Sequence, residues 1–82
     1  MQARVSIRFK DGVLDPEAAA IEGALRGLGF DGVRGVRRVR VIELDLDTNE
    51  PEAAWASVER MCERLLANPV IEDASVEILK EG

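Results

Sequence analysis

Val33-Arg34-Gly35-Val36-Arg37-Arg38-Val39-Arg40-Val41-Ile42-Glu43-Leu44-Asp45-Leu46-Asp47 is the stretch whose reading decides the fold. Its apolar residues change parity. Val39 and Val41 stand on odd numbers, while Ile42, Leu44 and Leu46 stand on even ones. Successive strand residues point to opposite faces, so the switch calls for either a hairpin or an irregular strand. A hairpin would have to turn near Arg38–Val41. That stretch holds no Gly, Pro, Asn or Asp, and β-branched residues disfavour the primed turns of tight hairpins. One long strand over 36–47, with a bulge or sharp twist, is the better reading. It would span about 40 Å at about 3.3 Å per residue. A globule of 82 residues has a radius of gyration near ~12 Å and a diameter of about 30 Å. A strand longer than its own domain must pair elsewhere, because a projecting unpaired edge invites aggregation. A homodimer or higher oligomer built by strand sharing is therefore expected.

Upstream, residues 3–10 alternate strictly, with Val5, Ile7 and Phe9 on one face and Arg4, Ser6, Arg8 and Lys10 on the other. This is the pattern of a half-buried antiparallel strand. Asp11-Gly12 ends it. Asp15-Pro16 supplies an N-cap and a proline at the first helical position, where its missing N–H is harmless. Ala18, Ile21, Ala24, Leu25 and Leu28 follow at helical spacing, and Gly29 suits the left-handed residue that closes a helix, with Phe30 as its apolar partner. The first helix is expected over 16–28.

Downstream, Asn49 with Glu52 reads as a capping box. Ala54, Trp55, Val58, Met61, Cys62, Leu65 and Leu66 form a wide apolar stripe, and Asn68-Pro69 stops the helix. Residues 70–80 read as a last strand around Val76 and Ile78. The expected fold is α+β: a two-layer sandwich in the order β-α-β-α-β, ferredoxin-like in character. It has a three-stranded antiparallel sheet with a long central strand and both helices on one face. It fills a single domain over 1–82.

Composition narrows the function. A single small domain has a marginal core and leans on disulfides, metal or a partner. One cysteine, Cys62, excludes an internal disulfide, and the chain has no histidine with which to build a His/Cys zinc site. A partner is the remaining support. With 16 acids against 11 bases the net charge is −5, a poor match for a phosphate backbone, and 4% aromatics leave little for base stacking. Neither nucleic acid nor membrane is expected as a partner; no apolar run approaches 18 residues. A free cysteine without an export signal fits a reducing cytoplasm. Without His or Tyr there is no conventional nucleophile–base pair, so no catalytic, cofactor or metal residue is expected.

Several features allow two readings. The cluster Arg34, Arg37, Arg38 and Arg40 is either an anion or partner patch or a solvated strand face balanced by Glu43, Asp45 and Asp47. Cys62 lies on the apolar stripe and reads as a small core residue. Trp55, on the same stripe, is a core anchor or an interface residue. The glycines lack the spacing of a phosphate loop. Asn68-Pro69-Val70-Ile71-Glu72-Asp73 is either a structural stop that caps the core or a docking loop.

Asp15-Pro16, Ala24-Leu25, Leu28-Gly29-Phe30, Val36-Arg37, Ile42-Glu43-Leu44 and above all the run from Met61 to Asp73 (MCERLLANPVIED) resemble the PurS family. The resemblance spans essentially the whole chain in order. It departs at Val39 and Arg40, where the family pattern has glycine then lysine, and at Ala18, often glycine. The family is the small subunit of bacterial and archaeal phosphoribosylformylglycinamidine synthase, an ATP-dependent glutamine amidotransferase of purine biosynthesis. The resemblance implies a non-catalytic, cytoplasmic subunit that dimerises, bridges the glutaminase and the large synthetase subunit, and assists ammonia transfer. It makes Arg37, Arg40, Asn68, Pro69, Ile71, Glu72 and Asp73 the candidate partner-binding residues. An ACT-like module binding a small regulatory molecule is the alternative, since it shares strand–helix alternation and edge dimerisation.

Overall fold

A computed structural model of the chain describes residues 1–79. Its elements are β1 (Gln2–Phe9), α1 (Pro16–Gly27), β2 (Arg40–Asp45), α2 (Pro51–Met61), which runs on into a π turn over Cys62–Leu66, and β3 (Glu72–Leu79). The sheet is antiparallel in the order β2-β1-β3, so the first strand of the chain lies in the middle. Val5 faces Ile42 on one side and Val76 on the other. The α+β class, the element order and the three-stranded antiparallel sheet are those expected. Lys80, the last residue of the expected final strand, lies outside the described residues.

The alternation of β1 builds the core. Ala3, Val5 and Ile7 point inward and are fully buried, while Arg4 on the outer face bridges Glu43 and Glu77 of the two flanking strands at 3.5 Å each. Ala54, Val58 and Cys62, spaced i, i+4, i+8, lay one face of α2 and its π turn on that strand. Half-buried Ile42, Leu44, Val76 and Ile78 close the sides.

The central stretch differs from its expectation. Only Arg40–Asp45 pairs with β1, in regular register without a bulge, and β2 is an edge strand. The even-numbered Ile42, Leu44 and Leu46 face the core, while Val39 and Val41 are half exposed. The parity switch marks the two sides of an open edge. Residues 36–39 form no ladder within the chain, and Arg38 is tied instead to the start of α1.

Helix α1 begins and ends as its sequence dictates. The Asp15 carboxylate accepts from the backbone N–H groups of Glu17 and Ala18, both at 3.1 Å. At the other end Gly29, at φ 97°, lets its own N–H reach the Arg26 carbonyl and that of Phe30 reach Leu25, each at 3.0 Å. Its packing is another matter. α1 barely touches the sheet or α2, Ile21 and Leu28 are 43% and 76% exposed, and Phe30 is exposed too. The two-layer contact is made by α2 alone. The radius of gyration is accordingly 16.2 Å and the longest dimension 49 Å, well beyond the ~30 Å of a sphere of this length.

The Asn49–Glu52 capping box does not form. Pro51 occupies the first helical position, which makes Glu50 the N-cap, and the Glu50 side chain makes no capping bond. Thr48 serves the end of the loop, its hydroxyl accepting from the Glu50 N–H at 3.1 Å. Trp55 is exposed rather than a core anchor, and so is Leu65. The π turn widens the last turn of the stripe, the Ala67 N–H reaching back five residues to the Cys62 carbonyl, and this takes Leu65 off the buried face.

Candidate functional site

The loop that follows the π turn is organised by Asn68. Its side-chain oxygen accepts from the Val70 N–H at 3.0 Å, and its carbonyl accepts from Ile71 at 3.2 Å and Glu72 at 2.8 Å. Pro69 fixes the backbone between them. The Glu72 carboxylate returns to the start of the loop and accepts the Asn68 N–H at 2.8 Å. Arg40, at the first position of β2, donates to both Glu72 oxygens at 3.0 and 3.2 Å and to the Leu66 carbonyl at 3.4 Å. Glu72 is thus a clamp between an edge strand, the end of a helix and a loop. The backbone N–H of Asn68 and, after the cost of partial desolvation, the Arg40 guanidinium hold its carboxyl below the usual range.

Two further pairs fasten the neighbourhood. Lys10 donates to Asp73 at 2.9 Å, and its backbone N–H donates to the Ile71 carbonyl at 2.9 Å, joining the end of β1 to the loop. Arg38 places Nε and Nη2 on the Asp15 carboxylate at 3.1–3.3 Å and Nη1 on Glu17 at 2.7 Å. Partial desolvation pushes the Asp15 carboxyl up, but the Arg38 hydrogen bonds and the helix N–H groups outweigh it, and the net shift is downward. The Asp15 hydrogen bonds in turn raise Arg38.

Of the residues expected to bind partners, Arg40, Asn68 and Glu72 come together in one network, and Ile71 and Asp73 join it through Lys10. These side chains hold the loop in shape. Pro69 is exposed at its tip beside Val70, which is 79% exposed. Arg37 stands apart. It is exposed, makes no ion pair among the described residues, and lines an open cleft of about 320 Å³ between the end of β1 and α1. Sequence reading missed Lys10 and the Arg38–Asp15–Glu17 cluster. The signal available was an N-cap aspartate in the same chain as a cluster of arginines.

Cys62 is buried, as expected of a core residue. Burial first, then the nearby Glu59 and Glu63, push its thiol up and away from the reactive thiolate. Among the described residues no group of three His, Cys, Asp or Glu is placed to hold a metal ion. The polar side chains fasten loops and helix ends, and the exposed apolar ones (Ile21, Leu28, Leu65, Val70) sit on the outside. Fold and site together define a small α+β domain whose polar side chains organise its loops and helix ends.

The chain belongs to the PurS family. The family model for PurS, phosphoribosylformylglycinamidine (FGAM) synthase, matches residues 2–80. The phosphoribosylformylglycinamidine synthase subunit PurS of Methanothermobacter thermautotrophicus is 49% identical over 74 residues, covering 90% of this chain and 87% of that protein. The PurS subunit of Methanocaldococcus jannaschii is 40% identical over 79 residues, 96% of this chain and 95% of that one. The crystal structure of M. jannaschii PurS, one of the subunits of formylglycinamide ribonucleotide amidotransferase in the purine biosynthetic pathway, superposes with a TM-score of 0.90 over 99% of this chain and 98% of its own. A chain in the structure of PurLQS from Thermotoga maritima superposes at 0.86 with 31% identity, over 95% of each. The chain is a PurS subunit of FGAM synthase, a part of purine biosynthesis, and not the ACT-like module kept as the alternative.

Proposed function

We propose that the chain works as a single domain and a homodimer inside a cytoplasmic FGAM synthase, bridging the glutaminase and the ATP-dependent synthetase subunit and assisting ammonia transfer between them. The observation that carries the reading is the uncovered apolar face of α1 beside an unpaired strand edge, in a chain whose fold matches one in a PurLQS assembly. A 12-residue helix is not stable in water without tertiary cover, so α1 needs a partner surface. The loop Asn68–Asp73, clamped by Arg40 and Glu72, presents Pro69 and Val70 to a neighbouring subunit, and Arg37 offers an exposed guanidinium on the cleft it lines with Phe9. The chain itself supplies no reacting group. Its contribution is shape.

The test is reconstitution of the synthase with and without this chain. Glutamine-dependent formation of the amidine should collapse without it, while ammonia-dependent activity of the synthetase subunit should fall much less. Unchanged glutamine-dependent activity would refute the role. Val70→Asp, at an exposed position, should reduce copurification with the larger subunits without unfolding the chain, and full copurification would remove the loop from the interface.

A further inference from the structure

Arg4, Lys10, Arg26, Arg38 and Arg40 each hold a carboxylate of the chain. Arg8 and Arg37 do not. In a sequence with 16 acids against 11 bases, both are exposed and neither pairs with a carboxylate among the described residues. Both line the same open cleft of about 320 Å³ between the end of β1 and α1. The other charges of that cleft are engaged. Lys10 holds Asp73, Asp15 is held by Arg38 and by two N–H groups of its helix, and Glu22 is held by Arg26 at 3.1 Å. Asp11 is left as the one unpaired acid on a lining that carries two unpaired guanidiniums. Phe9, Val13, Leu14 and Val36 make much of the remaining wall apolar. The turn between them is open as well: Gly12, at φ 85°, has no atom within 4 Å of where a side chain would stand, so a ligand can approach its backbone.

We propose that this cleft binds a mononucleotide, with Arg8 and Arg37 on its phosphate and the apolar wall against its sugar and base. A guanidinium fork matches two phosphate oxygens at once. A phosphate monoester carries about 1.5–2 negative charges near neutral pH, which two arginines balance. A triphosphate would bring its further charge against Asp11 and the acids at the start of α1. The concavity favours a small molecule over a flat protein surface, since small-ligand sites are clefts of about 300 Å³ and upward, apolar with a few polar groups that fix orientation. The site depends on neither the homodimer nor the bridging role, so the reconstitution described above and the titration below can fail separately.

Titration of the full, isotope-labelled chain with AMP in phosphate-free buffer, followed by amide chemical shifts, tests it. The shifts should saturate and concentrate on residues 8–15 and 36–38. Arg8→Gln and Arg37→Gln break no ion pair of the fold, and each should weaken AMP about tenfold by removing a charge-assisted contact. Arg37→Lys keeps the charge without the fork and should lose less. Arg60→Gln, at an exposed and equally unpaired arginine of α2, should bind AMP like the parent. Amide spectra of the free variants that match the parent outside the substituted position establish that the fold is kept. Inorganic phosphate should move the same residues but bind more weakly than AMP, ATP should bind no more tightly than AMP, and adenosine should give no saturable shift. Absence of a saturable shift with AMP overturns the site. Adenosine or inorganic phosphate binding as tightly as AMP, or ATP binding more tightly, overturns recognition of a mononucleotide. A loss for Arg60→Gln equal to that for Arg37→Gln also overturns it, because the attraction would then belong to the cations of the whole surface.

Discussion

Glu72 makes the most demanding claim on the site, because one carboxylate is held responsible for joining three elements. Replacing it with alanine removes the acceptor of the Asn68 N–H at 2.8 Å and both contacts to Arg40. A backbone N–H bonded to a charged group contributes about 1.5–3 kcal/mol, and exposed Asn68 lets water recover part of that. The arginine pair adds little. Arg40 is 55% exposed against 13% for Glu72, and half-exposed ion pairs are worth about 0.2–1 kcal/mol. Glu72→Ala should therefore cost about 2 kcal/mol and Arg40→Ala about 0.5 kcal/mol. Glu72→Gln keeps an acceptor for Asn68 and should fall between them. In a domain this small each kcal/mol moves the melting temperature by about 4–8 °C, so the two alanine variants should melt about 10 °C and about 3 °C below the parent. Thermal melts at one fixed protomer concentration, since association contributes to stability, measure the parent, the three single variants and the Arg40→Ala/Glu72→Ala double variant. Equal losses for Arg40→Ala and Glu72→Ala, with a coupling that accounts for the whole effect, would refute the argument: the ion pair, not the backbone bond, would then hold the loop.

Both depressed carboxyls tie stability to acid. Asp15 and Glu72 titrate below their ordinary values of 3.8 and 4.5 when folded, so their contribution is present above those values and lost as pH falls through the lowered ones; the urea midpoint should be flat from pH 7 to 5 and drop below about 4.5. Gly29→Ala puts a side chain at φ 97° with open space around it, so the loss of about 1–2 kcal/mol is conformational alone, whereas Gly23→Ala inside α1, equally open, should stabilise by about 0.5–1 kcal/mol; opposite shifts in thermal melts check the pair. Val58→Ala removes two fully buried methyl groups against Val5 and Ile7 and should cost about 2 kcal/mol, while Trp55→Ala, half exposed, should cost less in stability; a larger loss for Trp55 would mean that a second copy covers it.

What could be read in the sequence was whatever local chemistry settles. The alternation of Val5 and Ile7 determines their faces, Asp15-Pro16 caps α1 by its own side chain, and Gly29 is needed wherever the helix closes. The misreadings come from competition over distance. Pro51 displaced the Asn49 cap because proline takes the first helical position whatever precedes it. The π turn rotated Leu65 out of a stripe that ideal helical periodicity places inside. Strand periodicity in 36–47 says which way side chains point but not what lies alongside, and among the described residues no strand pairs with 36–39. The site follows the same rule. Arg37, Arg38 and Arg40 are near neighbours in sequence, yet they face open cleft, Asp15 and Glu72 respectively, and only the fold could separate them. Within the Met61–Asp73 run Asn68, Pro69 and Glu72 shape the loop locally, and that much was legible; the ties from Arg40 and Lys10, distant in sequence, were not.

The position of β1 at the centre of the sheet has a consequence for synthesis. Val5 pairs with Val76 and Gln2 with Leu79, so the earliest of these three strands to be made waits for the latest. Closing a loop of that length costs on the order of 4 kcal/mol by the (3/2)RT ln n relation before any core contact offsets it. β1 and β2 can meet earlier, but a two-stranded ribbon is marginal in water. The nascent chain therefore leaves the ribosome with its future core strand unshielded. Folding should begin only once β3 has emerged, and assembly with other subunits can start only after that.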